Sequence, residues 1–403
     1  MKKGIAFAVA VAAIFAAGAA ERIDIAEFDP RMAVQYANVD SNGVKWIDGR
    51  HLPIEGRAFS NVDHYYDRLP SNVSTNVNPG VRNMKHFTSG MMFRFVTDSS
   101  NLHFRWMPYS PILSRPHMPS TGVSGIDVYR QDSDGRWLYV KTGIVNDSKR
   151  GGSLSVKWKP GTPCLVNLPI YNGIESFTLG IDSAATVKPL GPRKSGIEKP
   201  VVFYGTSVTH GGCCSRPGLS FVNVIGRYYD VPVVNLGFSG SGRLEFDMSR
   251  YLADIDASCY VIDCLFNIGG YRDLPDFADI KDRRGPICAL KQRYEPFLRA
   301  LRAARPGVPI IMADRSDVYT TKPDVKDGFS RSLYEKLIAE GWTDLYYLSK
   351  DGMYSGDLEG TVDGTHPNDL GMMTMARAFG EAVAKALKLK RKPCEIRTEC
   401  APR

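Results

Sequence analysis

Residues 200–218 read PVVFYGTSVTHGGCCSRPG. Val201–Tyr204 is an unbroken apolar run, and Gly205 closes it just before the hydroxyl pair Thr206-Ser207. A short β-type run ended by Gly reads as a strand buried on both faces. A hydroxyl in the turn after it sits at the carboxyl edge of a sheet, where α/β sites form. The pattern repeats downstream. Apolar runs recur at Pro232–Leu236, Tyr260–Leu265, Pro309–Ala313 and Leu345–Leu348. Helical patterns lie between several of them, notably Ala289–Ala304 and Phe329–Glu340. A last helix over Leu370–Leu387 places Met375, Phe379, Ala382, Val383, Ala386 and Leu387 at helical spacing. Strands alternating with helices predict a parallel α/β sheet covered on both faces.

Upstream the chain has another character. From Glu21 to Ile181 it reads as short strands, such as Met91–Val96, Leu102–Trp106, Gly125–Arg130 and Trp137–Lys141. Asn78-Pro79-Gly80, Asp132–Gly135 and Lys159-Pro160-Gly161 supply turns between strands, and long helical periodicity is absent. This predicts an all-β sandwich. Lys188–Lys199, rich in Pro, Gly and Lys, is the linker candidate. The length of 403 residues fits two domains better than one. The expected division is residues 1–20, 21–195, 196–390 and a tail, 391–403.

Met1-Lys2-Lys3, the apolar run Ile5–Ala17 and the small residues Ala17–Ala20 have the layout of a secretory signal peptide. The run is short for a membrane span. No later segment holds eighteen consecutive apolar residues, so no stable membrane insertion is expected. Export to the periplasm or exterior would place the eight Cys in an oxidising setting. Cys394 and Cys400 flank a short loop and are candidates to pair; Cys259 and Cys264 lie in or beside an apolar run and read as buried thiols. There is no C-x-x-C pair to build a structural zinc or thioredoxin-like site. The formal charge is +8, with Lys388–Lys392 the one basic block. Nucleic-acid binding is not implied, since phosphate recognition concentrates basic residues on one face.

The chemistry gathers at the ends of the downstream runs. Ser207 follows the first. Asn235–Gly242 (NLGFSGSG) follows the second, a Gly-rich turn whose backbone N–H groups suit an oxyanion. Asn267 follows the third, with a side-chain amide to donate. Asp363-Gly364-Thr365-His366-Pro367 follows the last, with Asp and His three apart on a loop before a helix. Nucleophile, oxyanion donors, and a base with its orienting carboxylate are the parts of acyl transfer. Each part alone is a weak signal; their joint occurrence in this order is the informative one.

These residues carry a family resemblance. Tyr204–Thr209 (YGTSVT) resembles the nucleophile block of the SGNH (GDSL-type) hydrolases. Gly240 and Asn267 match that family's oxyanion-hole Gly and Asn, and Asp363 and His366 match its D-x-x-H block. Tyr204–Gly218, Asn235–Arg243 and Gly360–Gly371 are similar to a bacterial branch with a β-domain before the hydrolase. Gly125-Ile126-Asp127-Val128-Tyr129 resembles that branch's Gly-x-Asp-Leu-Tyr signature, with Val for Leu. Tyr66–Pro70 (YDRLP) and Leu168–Gly173 (LPIYNG) are also similar to it. The departures are Ser241 where Asn is frequent, Phe266 where Pro is usual and His210 where Gln is common.

The resemblance implies a flavodoxin-like three-layer α/β/α hydrolase domain behind the sandwich. It implies a serine esterase with catalytic Ser207, His366 and Asp363, working through an acyl-enzyme. The oxyanion donors would be the Ser207 and Gly240 N–H groups and Asn267. No metal and no cofactor are expected. His51, His64, His86, His103 and His117 are scattered through the β-domain and read as forming no metal set. His210 is the rival base, ranked below His366 for want of a neighbouring carboxylate, with lining the pocket mouth as its other role. Arg216 and Phe266 are pocket candidates; a structural salt bridge is an equal reading for Arg216. For Gly125–Tyr129, docking on the hydrolase is preferred to a substrate role. Expected substrates are small esters or acylated carbohydrates, with removal of O-acetyl groups first. A lipase- or thioesterase-type acyl hydrolase and a silent glycan-binding protein on the same scaffold are the alternatives. An ordinary α/β-hydrolase is disfavoured because Gly237–Ser241 lacks the last Gly of a G-x-S-x-G elbow. A P-loop enzyme is disfavoured by the absence of its motif. Acyl group, leaving alcohol, disulfide connectivity and oligomeric state are not legible.

Overall fold

The computed structural model describes residues 37–268, 285–316 and 325–389. The expected signal peptide, the C-terminal tail, Cys394 and Cys400 lie outside the described residues. The N-terminal half is built from β1 (Ala37–Val39), β2 (Val44–Asp48), β3 (Ile54–Glu55), β4 (Met92–Thr97), β5 (Asn101–Pro108), β6 (Ile126–Gln131), β7 (Trp137–Gly143), β8 (Val145–Asp147), β9 (Gly151–Lys157), β10 (Pro163–Asn167), β11 (Ile174–Asp182) and β12 (Val187–Pro189). They form two antiparallel sheets, ordered β1-β2-β11-β5-β9-β8 and β12-β4-β10-β6-β7, with β3 on β4. Alternation decides the packing, because successive strand residues face opposite ways. In β5, Leu102, Phe104 and Trp106 point inward between Asn101, His103 and Arg105. They meet Phe93, Phe95, Val128 and Val166 of the second sheet in a shared core. Two sheets over one core make the sandwich. Lys188 and Pro189, expected in the linker, belong to β12, which pairs with β4.

The C-terminal half is a parallel sheet of β13 (Val201–Gly205), β14 (Val233–Gly237), β15 (Cys259–Asp263), β16 (Ile310–Ala313) and β17 (Leu345–Leu348). Its order is β14-β13-β15-β16-β17. The order reverses at β13, so the crevice for a ligand opens beyond the carboxyl end of that strand. Every residue of β13 is buried, as a strand covered on both faces requires. Val202 and Tyr204 face a layer holding Met248, Leu252, Tyr294, Phe297 and Leu333. Val201 and Phe203 face the other layer, with Phe221, Val224, Met375 and Phe379. Helices on both faces complete three layers.

The halves share their cores. Leu69, Val77 and Val81 of the first half pack into one hydrolase layer. Met92, Met118, Tyr129, Leu165 and Tyr171 pack into the other. No helix among the described residues is long and apolar enough to cross a membrane.

Candidate active site

Ser207 opens a one-turn helix, Ser207–His210, directly after β13. Thr206 caps it by accepting a hydrogen bond from the Val208 N–H. Below the turn, Thr209 Oγ1 donates to Asp263 Oδ2 at 2.6 Å, and Ser316 Oγ donates to the same oxygen at 2.9 Å. These bonds tie the Ser207 turn to the ends of β15 and β16. Tyr171 of the sandwich donates its hydroxyl to the Ser207 carbonyl at 3.2 Å.

The loop before the last helix (Asp369–Ala386) brings Asp363 and His366 to this point. Val362 N–H donates to the His366 carbonyl at 3.0 Å, and Thr361 Oγ1 donates to it at 2.9 Å. Gly364 turns the loop at φ +82°, a conformation that glycine adopts without penalty. Asp369 at the helix start accepts from Ser215 N–H at 2.8 Å and Ser215 Oγ at 2.6 Å, which clamps this loop to the segment after Ser207. His366 Nε2 lies 2.8 Å from Ser207 Oγ, and its Nδ1 lies 2.7 Å from Asp363 Oδ2. Asp363 Oδ1 accepts the backbone N–H groups of His366 at 2.7 Å and Thr365 at 3.0 Å. Partial burial alone would raise the Asp363 carboxyl. The hydrogen bonds from His366 and Thr365 outweigh it and hold the group at about 2. An ionised Asp363 keeps the proton on Nδ1 and turns the Nε2 lone pair toward the Ser207 hydroxyl.

Gly240 sits at φ +63° with open space where a Cβ would stand. Neither its N–H nor that of Ser207 donates to another group among the described residues. Asn267 lies against the same turn, its Nδ2 3.1 Å from the Gly242 carbonyl and 3.4 Å from that of Phe238. The amide is thus held beside Gly240. Serving an oxyanion means exchanging the longer of those two contacts.

His210 does not line a pocket mouth. Its ring is wholly buried, stacked on Tyr171 with centroids 4.2 Å apart, and its Nε2 is 3.5 Å from Arg68 Nη2. Burial first, and the Arg68 charge second, hold its pKa well below the usual imidazole range, so it stays neutral. Arg216 is turned to the sandwich. Its Nη1 donates to Asp127 Oδ2 at 2.9 Å and to the Tyr129 hydroxyl, and its guanidinium lies 4.2 Å from the Tyr139 ring centroid. Asp127 also accepts Gly218 N–H at 2.8 Å and Asn167 Nδ2 at 2.7 Å. The Gly125–Tyr129 string therefore docks one domain on the other. Phe266 is half-buried, its ring centroid 6.0 Å from Lys326 Nζ.

Three contributions were not legible in the sequence. Buried Arg68 donates to the carbonyls of Asn235 at 3.1 Å and Gly237 at 2.8 Å, supporting the Gly240 turn from below. Cys213 is buried at φ +72°, and its thiol lies within 4.8 Å of ring nitrogens of His117 and His366. His117, read as scattered, places its ring centroid 5.9 Å from that of His366. Arg68 stood in a quoted string, YDRLP, but no local signal points it at a strand end some 170 residues on. All six cysteines among the described residues are free, Cys259 and Cys264 buried as expected.

Comparison with known proteins agrees with this geometry. Residues 198–384 match the GDSL-like lipase/acylhydrolase family, and residues 44–187 match the N-terminus of SGNH-hydrolase-type esterases. A candidate GDSL-like lipase from Bacteroides ovatus is 26% identical with a TM-score of 0.73, the match covering 87% of this chain and 99% of that one. A salicylyl-acyltransferase from a tetracycline biosynthetic pathway is 19% identical with a TM-score of 0.67, over 86% and 98% of the two chains. A family two carbohydrate esterase from Clostridium thermocellum, in complex with cellohexaose, shares the fold at 13% identity and a TM-score of 0.52, over 74% and 93%. No curated protein sequence matches the chain. The two family matches, in this order along the chain, make it a member of the GDSL-like (SGNH) hydrolases with the β-domain N-terminus, and an esterase.

Proposed function

We propose that this SGNH-type esterase is an exported carbohydrate O-deacetylase using Ser207, His366 and Asp363 as its catalytic triad. The observation that carries the reading is the continuous relay from Ser207 Oγ through His366 to Asp363, with contacts of 2.8 and 2.7 Å. Ser207 Oγ attacks the ester carbonyl carbon while His366 Nε2 takes its proton. Asp363 stabilises the imidazolium. His366 then hands the proton to the departing alcohol, and water, deprotonated by the same nitrogen, releases the acid from Ser207. The Ser207 and Gly240 N–H groups and the Asn267 amide receive the developing oxyanion, one such donor being worth about 3–4 kcal/mol.

The carbohydrate part of the proposal has separate support. The N-terminal sequence reads as an export signal, which would put the enzyme where polysaccharides are met. The sandwich brings polar side chains to the site: the Tyr171 hydroxyl meets the Ser207 carbonyl at 3.2 Å, and the exposed His117 has its ring centroid 5.9 Å from that of His366. A hydroxyl-rich alcohol suits such surroundings better than a lipid does. A carbohydrate esterase of the same fold was solved with cellohexaose bound.

The test is hydrolysis of p-nitrophenyl esters from acetyl to octanoyl, followed by acetate release from acetylated xylan. The expected outcome is a preference for acetyl, acetate release from the polymer, and a loss of roughly four orders of magnitude or more in Ser207→Ala. A preference for octanoyl would refute deacetylation while keeping the serine mechanism. Full activity in Ser207→Ala would refute the mechanism.

A further inference from the structure

Three side chains from distant parts of the chain converge at one edge of the site: His117 from the sandwich, Cys213 from the loop after Ser207, and His366. One ring nitrogen of each histidine and the Cys213 sulfur all lie within 4.8 Å of one another. His117 is exposed, His366 half-buried and Cys213 buried, so the group has a closed floor and an open side. Cys213 and His117 have no part in the acyl-transfer relay. The neighbouring Cys214 is different: its sulfur is turned to the carbonyls of Gly211, at 3.1 Å, and Arg216, at 3.4 Å. Cys213 makes no such hydrogen bond among the described residues.

Two imidazoles and a thiol are a donor set suited to a borderline-soft divalent ion, zinc before the harder cations. Zinc bonds of about 2.0–2.1 Å to nitrogen and 2.3 Å to sulfur place tetrahedral donors roughly 3.5 Å apart. The donors here, within 4.8 Å of one another, need to close by up to about 1.3 Å, a shift within reach of a rotation of the exposed His117 side chain. A fourth position would face solvent.

We propose that His117, Cys213 and His366 form a zinc site that switches the esterase off. The proposal rests on His366 being the catalytic base. Both of its ring nitrogens are engaged, Nε2 with Ser207 and Nδ1 with Asp363. Zinc on either one therefore breaks the relay: on Nε2 it takes the lone pair that receives the serine proton, and on Nδ1 it displaces the proton that Asp363 holds. Binding converts the Cys213 thiol to thiolate, its proton leaving to solvent, so one zinc ion replaces one proton at sulfur.

The test uses the reduced, full mature protein with Co2+ as a spectroscopic probe and Zn2+ as inhibitor. The expected result is a sulfur-to-cobalt charge-transfer band in the near ultraviolet that Zn2+ abolishes. Zn2+ should inhibit p-nitrophenyl acetate hydrolysis, and EDTA should restore it. Cys213→Ala should lose the band, and both Cys213→Ala and His117→Ala should need roughly tenfold more zinc or above for half inhibition while hydrolysing the ester without metal. No band in the wild type, or a band that survives in Cys213→Ala, overturns the site. A band with undiminished hydrolysis overturns the inhibitory role. If wild-type protein hydrolyses no ester, the esterase mechanism fails, and the cobalt band still decides whether the site exists.

Discussion

Asp363 is the residue on which the electrostatics of the site turn. Its two oxygens accept three hydrogen bonds, two from backbone N–H groups and one from the His366 ring. Held at about 2, it stays ionised at every pH at which the enzyme would be assayed. Asp363→Asn keeps the shape and removes the charge. Its amide can donate to Nδ1, which moves the imidazole proton to Nε2, where Ser207 needs a lone pair. The expected outcome is a fall in kcat of about three to four orders of magnitude with KM little changed, measured on p-nitrophenyl acetate. A loss below tenfold would remove Asp363 from the relay. Ser207, Asp363 and His366 were legible because each sits in a short string at the end of an apolar run. His117 and Cys213 were not, because a lone His on a Pro-rich loop carries no sign of the residue it will face 249 positions later.

At the scale of elements, the sheet was legible and its strand ends less so. The run Tyr260–Leu265 looked like one strand, but β15 stops at Asp263. Asp263 is buried because Thr209 and Ser316 donate to it, and Cys264 turns the chain away. Pro232 and Pro309 read as strand residues, yet β14 and β16 begin one residue later. Proline has no N–H to give to a ladder. Beyond β16, Asp314 accepts from the Tyr347 hydroxyl and from Lys350 N–H at 3.3 Å, while its Oδ1 is buried with no partner among the described residues. Burial raises its carboxyl to about 6, above the ordinary carboxylate range. The sign follows from linkage. A group whose pKa is raised on folding binds its proton more tightly in the native state. Its contribution is therefore present below about 4 and is lost as the pH rises through about 6. Asp314→Asn should flatten the stability profile between those values. It should also stabilise the protein at pH 8 by on the order of 2 kcal/mol, read from urea midpoints. Equal pH dependence in the variant and the wild type would show that Asp314 is not the group that titrates.

For the molecule as a whole, the sandwich is part of the hydrolase rather than an appendage. It sends Arg68 to the end of β14, Tyr171 to the Ser207 carbonyl, and Asp127 to Arg216 and the Gly218 N–H. The strings holding these residues could be seen in the sequence. Their partners could not, since each pair is separated by 36 to 169 positions and no local pattern encodes the match. Arg216→Ala leaves the Asp127 carboxylate buried without its cation. Removing one partner of such a pair costs about 3 kcal/mol, seen as a lower urea midpoint with KM for p-nitrophenyl acetate unchanged. A raised KM at unchanged stability would instead return Arg216 to the substrate. The most direct test of the central claim treats the folded protein with a p-nitrophenyl alkylphosphonate, which a nucleophilic serine attacks with loss of p-nitrophenol. Intact-mass and peptide mapping should find one adduct per chain, on Ser207, with ester hydrolysis lost in proportion and no adduct in His366→Ala. An adduct on another residue, or full hydrolysis by fully labelled protein, would contradict the assignment of Ser207 as the nucleophile.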